Sequence, residues 1–300
     1  LSSSSAASDV YKRQMMNSKL ILGTVQFGVN YGINNNAGQV TQTEVNRILE
    51  YAAENGIEKL DTSSAYGNSE EALGNSNLIN CKKIAVISKY PRCSKSPREC
   101  LNDSLKKLGV NSLYGYLIHH FDFYQEKPDI WTEIEQLKSE GLIQNIGFSL
   151  YTPEQLEYLV NNKVKFDIIQ LPYNMFDRQF ESYFPKLKEL GVEIHTRSVF
   201  LQGLFFKAFD AFPEKLMPMR KYVEKLQNYC KEQNINIANL AVAYSISKQA
   251  IDGVLMGVDN CNQLQSNIEC ANYNLSLEDI AFVDSIEVKE KELLNPVNWK

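Results

Sequence analysis

Asp61, Tyr66, Lys89 and His119 are the side chains of this sequence whose types could share one reaction. A tyrosine hydroxyl has an ordinary pKa of about 10, so alone it gives up its proton reluctantly. A lysine ammonium beside it favours the tyrosinate and lowers that pKa. Two unit charges about 4 Å apart interact by about 4 kcal/mol at an effective dielectric of about 20, and one pKa unit is about 1.36 kcal/mol, so a shift of a few units is physically available. Asp61 would hold Lys89 charged and oriented, and the His119 imidazole would hydrogen-bond a substrate oxygen. Such a set delivers a proton to a carbonyl oxygen while a hydride reaches the carbon. Tyr66 would act as general acid, or as general base in the reverse direction.

Each residue also has a plainer reading. Asp61-Thr62-Ser63 could be a strand-end turn, and Lys89 a surface lysine whose stem lies along apolar neighbours. His119 and His120 are adjacent, which raises the question of a metal. The chain has 3 histidines, the third being His195, and no His-x-x-x-His or acidic cluster joins them, so no metal site is expected. Shared chemistry therefore requires a fold that brings the four residues together.

Short apolar runs alternate with amphipathic segments from Leu20 onward. The runs Leu20–Gly23, Glu58–Leu60, Ile84–Ser88, Tyr114–Ile118, Asn145–Phe148, Asp167–Gln170, Val192–Thr196 and Gly253–Met256 predict strands, several of them apolar enough to be buried on both faces. Between them, Thr41 with Glu44 reads as a capping box before the stripe Val45, Ile48, Leu49 and Ala52, with Gly56 as the stop. Ser96, Pro97 and Glu99, ending at Gly109, repeat the arrangement, as do Thr152, Pro153 and Gln155. This rhythm predicts a parallel sheet closed as a single-domain (β/α)8 TIM barrel. An open doubly wound sheet is the alternative, but no Gly-x-Gly-x-x-Gly follows the first strand. Two departures interrupt the rhythm: an aromatic stretch over Ser198–Pro218, and two successive helical segments, Met219–Gln233 and Ile237–Lys248, before the last strand.

In such a barrel the strands' C-terminal ends carry the active site. Thr24, Asp61, Lys89, His119, Ser149, Gln170, Arg197 and Gly257 occupy those ends. Most are polar, which suits a shared mouth and not a dry core. His195 shares strand parity with Arg197 and reads as a core histidine facing the barrel interior.

The bulk properties narrow the partners. With 44% apolar and 22% charged residues, the chain can bury a large core without staples. A net charge of −5 without a long basic run speaks against a nucleic-acid surface, and no apolar run is long enough to span a bilayer. The 6 cysteines include no Cys-x-x-Cys pair and read as reduced thiols, so a cytoplasmic location is expected. Leu1–Gln14 lacks the pattern of a signal peptide, and Asp9–Gln14 matches one reading frame of a transposon end used in sequencing-library preparation. Residues 1–14 are therefore expected to be a non-native extension, with the barrel over 15–300. Genomic DNA encoding 1–14 continuously upstream of Met15 would overturn that.

The sequence resembles the aldo/keto reductase superfamily. The resemblance rests on Leu22-Gly23-Thr24 with Gly28, Asp61-Thr62-Ser63-Ser64-Ala65-Tyr66-Gly67 with Ser69-Glu70, Ser88-Lys89, and Leu117-Ile118-His119. It continues through Ile146-Gly147-Phe148-Ser149, Gln170-Leu171-Pro172-Tyr173-Asn174, and Gly257 with Gln263 and Asn267. It implies a tetrad of Asp61, Tyr66, Lys89 and His119 and a nicotinamide cofactor, NADP by default with NAD possible. Gly23 and Thr24 would border that cofactor, Ser149 and Gln170 would hold its carboxamide, and Gly257, Gln263 and Asn267 its adenosine phosphate end, near a helix start suited to anions. Three departures from the pattern stand out. Leu150 stands where an asparagine is frequent, and Arg197 where an aromatic ring stacks on the nicotinamide, although a guanidinium plane can also stack. Gly257 and Gln263 stand where basic residues read a 2′-phosphate, which weakens the default.

The substrate pocket is expected from Phe27, Tyr31, Tyr90, Phe121, Phe148 and the loop Ser198–Pro218, suiting an aldehyde, a ketone or a sugar-like carbonyl. Two other functions are open at this level. One is a non-catalytic nicotinamide-binding regulatory barrel. The other is a Schiff-base lyase using Lys89 as nucleophile, although Asp61 beside it would keep the amine protonated.

Overall fold

Eight parallel strands pair in chain order and close on themselves: β1 (Leu20–Gly23), β2 (Lys59–Asp61), β3 (Ala85–Tyr90), β4 (Leu113–Ile118), β5 (Ile143–Ser149), β6 (Ile168–Pro172), β7 (Glu193–Arg197) and β8 (Gly253–Gly257). In this computed structural model the described residues are 17–299, apart from 33, 34, 36, 37 and 83. The segment 1–14 expected to be non-native lies outside them. Each predicted strand is present within a residue or two of its expected ends. Most of them are rich in apolar residues because both faces are covered, the inner one by Ile21, Ile87, Leu117 and Ile168, the outer one by helices. The ring closes where β1 meets β8, with Gly23 opposite Gly257.

Register fixes the mouth. Gly23 lies opposite Asp61, Ser149 opposite Gln170, and Pro172 opposite Arg197. Parity decides which neighbours look away. Lys89 and Ser149 turn toward the mouth, so Tyr90 and Phe148, one residue along each strand, point to the surrounding helices. The Phe148 ring stacks on Trp131 at 4.4 Å between centroids.

The caps form with one difference from expectation. Ser96 and Glu99 make the reciprocal box with Pro97 at the helix start and Gly109 at its end. Gln155 reaches back to the Tyr151 and Thr152 N–H groups. Thr41 accepts from the Glu44 N–H as predicted, but the Glu44 carboxylate does not return to it. That carboxylate instead binds Arg47 and accepts from the Cys261 N–H, at the first turn of the helix Cys261–Ala271. The stretch after β7 folds as 3-10 segments, Leu201–Phe206, Phe209–Ala211 and Glu214–Met219, followed by the expected helices Arg220–Glu232 and Ile237–Ser247. No helix of the described residues is long and apolar enough to cross a membrane.

Candidate active site

Asp61 at the end of β2 and Lys89 on β3 are both buried, and Lys89 Nζ donates to Asp61 Oδ1 at 2.5 Å. The same ammonium donates to the Thr62 carbonyl at 2.8 Å and to the Tyr66 hydroxyl at 3.4 Å, so all three of its protons have partners. Gln170 of β6 donates to the other Asp61 oxygen at 2.7 Å. His119, just past β4, meets Tyr66 edge-on with ring centroids 5.7 Å apart. Its Nδ1 lies 3.2 Å from the Ser63 hydroxyl, which itself accepts from the Ala65 N–H. The four residues singled out by type stand as one cluster.

Tyr66 is placed by its backbone. It lies in the turn after β2, and Gly28, which ends the short helix Val25–Gly28, packs directly against that turn. A Cβ on Gly28 would stand 1.6 Å from the Tyr66 carbonyl oxygen, and one on Gly67 would stand 2.3 Å from the Gly28 oxygen. Two side-chain-free residues therefore let two loops touch backbone to backbone. Ser69 ties them further, donating to the Thr24 carbonyl at 2.8 Å and lying 3.1 Å from the Thr62 hydroxyl.

The protonation states follow from burial and charge. Burial pushes the Tyr66 phenol above its ordinary value, and Asp61 adds to this; Lys89 and Arg197 pull the other way without prevailing. Lys89 pulls the Tyr66 pKa down as expected, but the expected net lowering is corrected: desolvation outweighs the ammonium. Burial also works against a charged Lys89, but Asp61 and Tyr66 hold its pKa above the usual value. Burial, with the Lys89 and Arg197 charges nearby, takes the His119 imidazole down to about 2, so it is neutral in ordinary buffers.

This cluster sits in the wall of a cavity of about 770 Å³ at the C-terminal mouth of the barrel. The family model for aldo/keto reductases matches residues 19–288. The chain belongs to the aldo/keto reductase family. It is 27% identical over 282 residues to the NADH-specific methylglyoxal reductase of Escherichia coli, a match covering 78% of this chain and 84% of that one. It is 26% identical over 275 residues to the D-arabinose 1-dehydrogenase of Saccharomyces cerevisiae, covering 80% and 82%. Among solved structures, an aldo-keto reductase of Bacillus halodurans in its holo form shares the fold at a TM-score of 0.71 and 20% identity, over 91% of this chain and 94% of that one.

The walls of this aldo/keto reductase sort the remaining predicted residues. Gly23, Thr24, Tyr31, Ser149, Gln170, Arg197, Gly257, Gln263 and Asn267 line the cavity together with Asp61, Tyr66 and His119, while Lys89 lies beneath them. Four predicted pocket aromatics do not line it. Phe27, Tyr90, Phe121 and Phe148 are buried in the core between sheet and helices, Tyr90 and Phe148 because strand parity turns them outward. Their place is taken by Tyr151, Phe200 and Phe206, the last two from the aromatic stretch after β7. Gln26 and Asp259 are further lining residues that the sequence reading missed; the Asp259 signal was its place two residues after Gly257. Arg197 donates to the Leu150 carbonyl at 2.9 Å and lies 4.2 Å over the Tyr151 ring.

The helix start after β8 also differs from the expectation of an anion site. Glu44 already takes the Cys261 N–H, the Asn260 side chain takes that of Gln263, and the Gln263 side chain takes that of Asp259. Two carboxylates, Glu44 and Asp259, thus occupy an end that would otherwise draw a phosphate. His195 faces the barrel interior, with Nε2 3.0 Å from Glu193 and Nδ1 without a partner among the described residues.

Proposed function

We propose that this chain is a nicotinamide-dependent carbonyl reductase with NADH as its fitting cofactor, acting on an aldehyde or ketone through Tyr66. The observation that carries the reading is the Asp61–Lys89–Tyr66 chain of hydrogen bonds opening onto the cavity beside His119. The cavity fits a dinucleotide. Its volume is in the range of cofactor sites, and the buried Gln26 Oε1 lacks a partner beside Gly257, where a Cβ would strike the Gln26 side chain at 2.6 Å. Ser149 and Gln170 would hold the carboxamide, Gly23 and Thr24 would border the ring, and Gly257, Gln263 and Asn267 would take the adenosine end. NADP would bring a 2′-phosphate to Asp259, and the single lysine or arginine among the described lining residues, Arg197, is on another strand.

When bound, the reduced nicotinamide supplies the hydride. The chain's own residues do the rest. Tyr66 keeps its proton because burial disfavours the phenolate, and it gives that proton to the carbonyl oxygen as negative charge develops there. Lys89, held charged by Asp61, then stabilises the tyrosinate left behind. His119 is neutral, so it serves as a hydrogen-bond partner that orients the carbonyl, not as an acid. A Lys89 held protonated under Asp61 has no lone pair to attack a carbonyl, which argues against the lyase alternative.

A panel of aldehydes and ketones assayed with NADH and NADPH tests the reading. Expected are turnover of at least one class and a Kd for NADH at least tenfold below that for NADPH. Tyr66→Phe is expected to lower the reduction rate about 1000-fold or more while the NADH Kd holds. A Tyr66→Phe variant that keeps its rate would end the proposal, as would a dinucleotide-binding protein that reduces no carbonyl.

A further inference from the structure

Arg197 is a cationic side chain in the cavity wall that makes no ion pair among the described residues, although its charge also acts on the buried Asp177 carboxyl. It is half-buried at the end of β7, and among the described residues its contacts are the Leu150 carbonyl, the Ser198 hydroxyl at 3.4 Å and the Tyr151 ring. None is a carboxylate. The other charged groups in the wall do not balance it. Asp61 is paired with Lys89, and the Asp259 carboxylate, two residues past β8, accepts from Asn35 and Gln263. A half-buried guanidinium normally draws a carboxylate to offset lost hydration. Here the structure spends neutral groups on holding the fork in place and leaves its remaining N–H donors unmatched.

We infer that Arg197 binds an anionic group, a carboxylate or phosphate, carried by the carbonyl substrate itself, so that this reductase selects negatively charged aldehydes or ketones. The inference rests on the reductase reading and names its substrate class. Position separates substrate from cofactor as the source of that anion. The Arg197 charge bears on Tyr66 and His119, the two groups that would meet the reacting carbonyl, and on Tyr31 in the same wall. In a nicotinamide dinucleotide a ribose separates the ring from the diphosphate, which carries those charges away from the reacting centre. Stacking on the nicotinamide, implied by the family pattern, is weakened because Tyr151 already covers one face of the guanidinium. Tyr31 and Gln202, whose side chains meet at 3.3 Å, and Ser198 border the same region and offer polar contacts to a short anionic substrate. A guanidinium fork matches either anion with two parallel hydrogen bonds.

Two matched pairs of substrates test this, each with NADH: succinic semialdehyde against butanal, and glyceraldehyde 3-phosphate against glyceraldehyde. The expected result is a KM about 10- to 100-fold lower for the anionic member of at least one pair, the factor of a charge-assisted hydrogen bond. Which pair shows it tells carboxylate from phosphate. In Arg197→Met the ratio falls to about unity, and in Arg197→Lys part of it returns, while the NADH Kd is unchanged. Wild-type turnover with no charge preference overturns the inference and leaves the reductase reading intact. So does an Arg197→Met variant that loses NADH affinity and keeps the ratio, since the anion is then the cofactor's. If no carbonyl turns over, the reductase reading fails, and calorimetric titration with the two anions decides separately. Saturable binding lost in Arg197→Met supports an anion site, and equal heats in both proteins overturn it.

Discussion

At the scale of single residues, His119 links the site to stability. Its imidazole is held at about 2 by burial first and then by Lys89, against an ordinary value near 6.5. A histidine buried in its neutral form binds a proton in the unfolded chain before it does so in the folded one. That stabilising difference is complete above about pH 6.5 and is lost as the pH falls below it, by about 1.4 kcal/mol per pH unit. His119→Asn is expected to flatten the pH dependence of unfolding free energy between about pH 6.5 and 4.5, measured by urea titration; an unchanged slope would show that the ring does not carry it. Tyr66 sets the other limit. Its raised pKa keeps the acid protonated through neutral pH, so the rate of the reduction step should stay level from about pH 6 to 9 and decline only in more alkaline buffer, which a single-turnover pH profile reads directly. The four central residues were legible from the sequence because Asp61, Lys89 and His119 fall at strand ends and Tyr66 in the loop directly after one. The order of their electrostatic influences was not legible, since desolvation depends on neighbours far along the chain.

At the scale of elements, strand positions followed from apolar runs bounded by caps and glycines, and these signals are local. The misplaced aromatics show where local signals stop. Phe148 precedes Ser149 on one strand, and only the parity of that strand, anchored by Ser149 opposite Gln170, says that the serine faces the mouth and the ring faces Trp131. Glu44 shows the same limit. Its spacing from Thr41 is that of a capping box, yet a helix more than two hundred residues later takes its carboxylate. The Gly28–Gly67 contact is the element-scale feature that governs chemistry. Gly28→Ala must push the turn bearing Tyr66 away from its place, because the obstruction is backbone and not a movable side chain. Expected are a loss of about 2 to 3 kcal/mol in stability and a fall in reduction rate of at least 100-fold. Wild-type activity in a folded Gly28→Ala protein would show that Tyr66 is positioned otherwise.

At the scale of the whole molecule, closure of the sheet makes the chain's two halves depend on each other, since β1 is completed by β8. The last α-helix among the described residues is fastened to the ring by Arg178. Its guanidinium donates to the Met175 carbonyl beside β6 and to the Val283, Asp284 and Ile286 carbonyls at the end of the helix Leu277–Asp284. Arg178→Met removes donors from carbonyls that are partly buried, and is expected to cost about 3 kcal/mol. Far-UV circular dichroism and tryptophan fluorescence should still report one coincident unfolding transition. Separate transitions would mean that the C-terminal helix melts by itself.

The stretch 198–203 along the cavity wall has a backbone most residues avoid at four positions. Ser198, Leu201 and Gln202 have φ of 68, 45 and 51°, with Gly203 at 89°. Each non-glycine residue held there costs about 1 kcal/mol or more. A chain selected for heat tolerance alone would have exchanged them for glycine or asparagine. Holding them fixes the shape of this wall at a cost to the durability of the fold. Attempts to harden the protein by relaxing these positions should therefore trade ligand recognition for melting temperature.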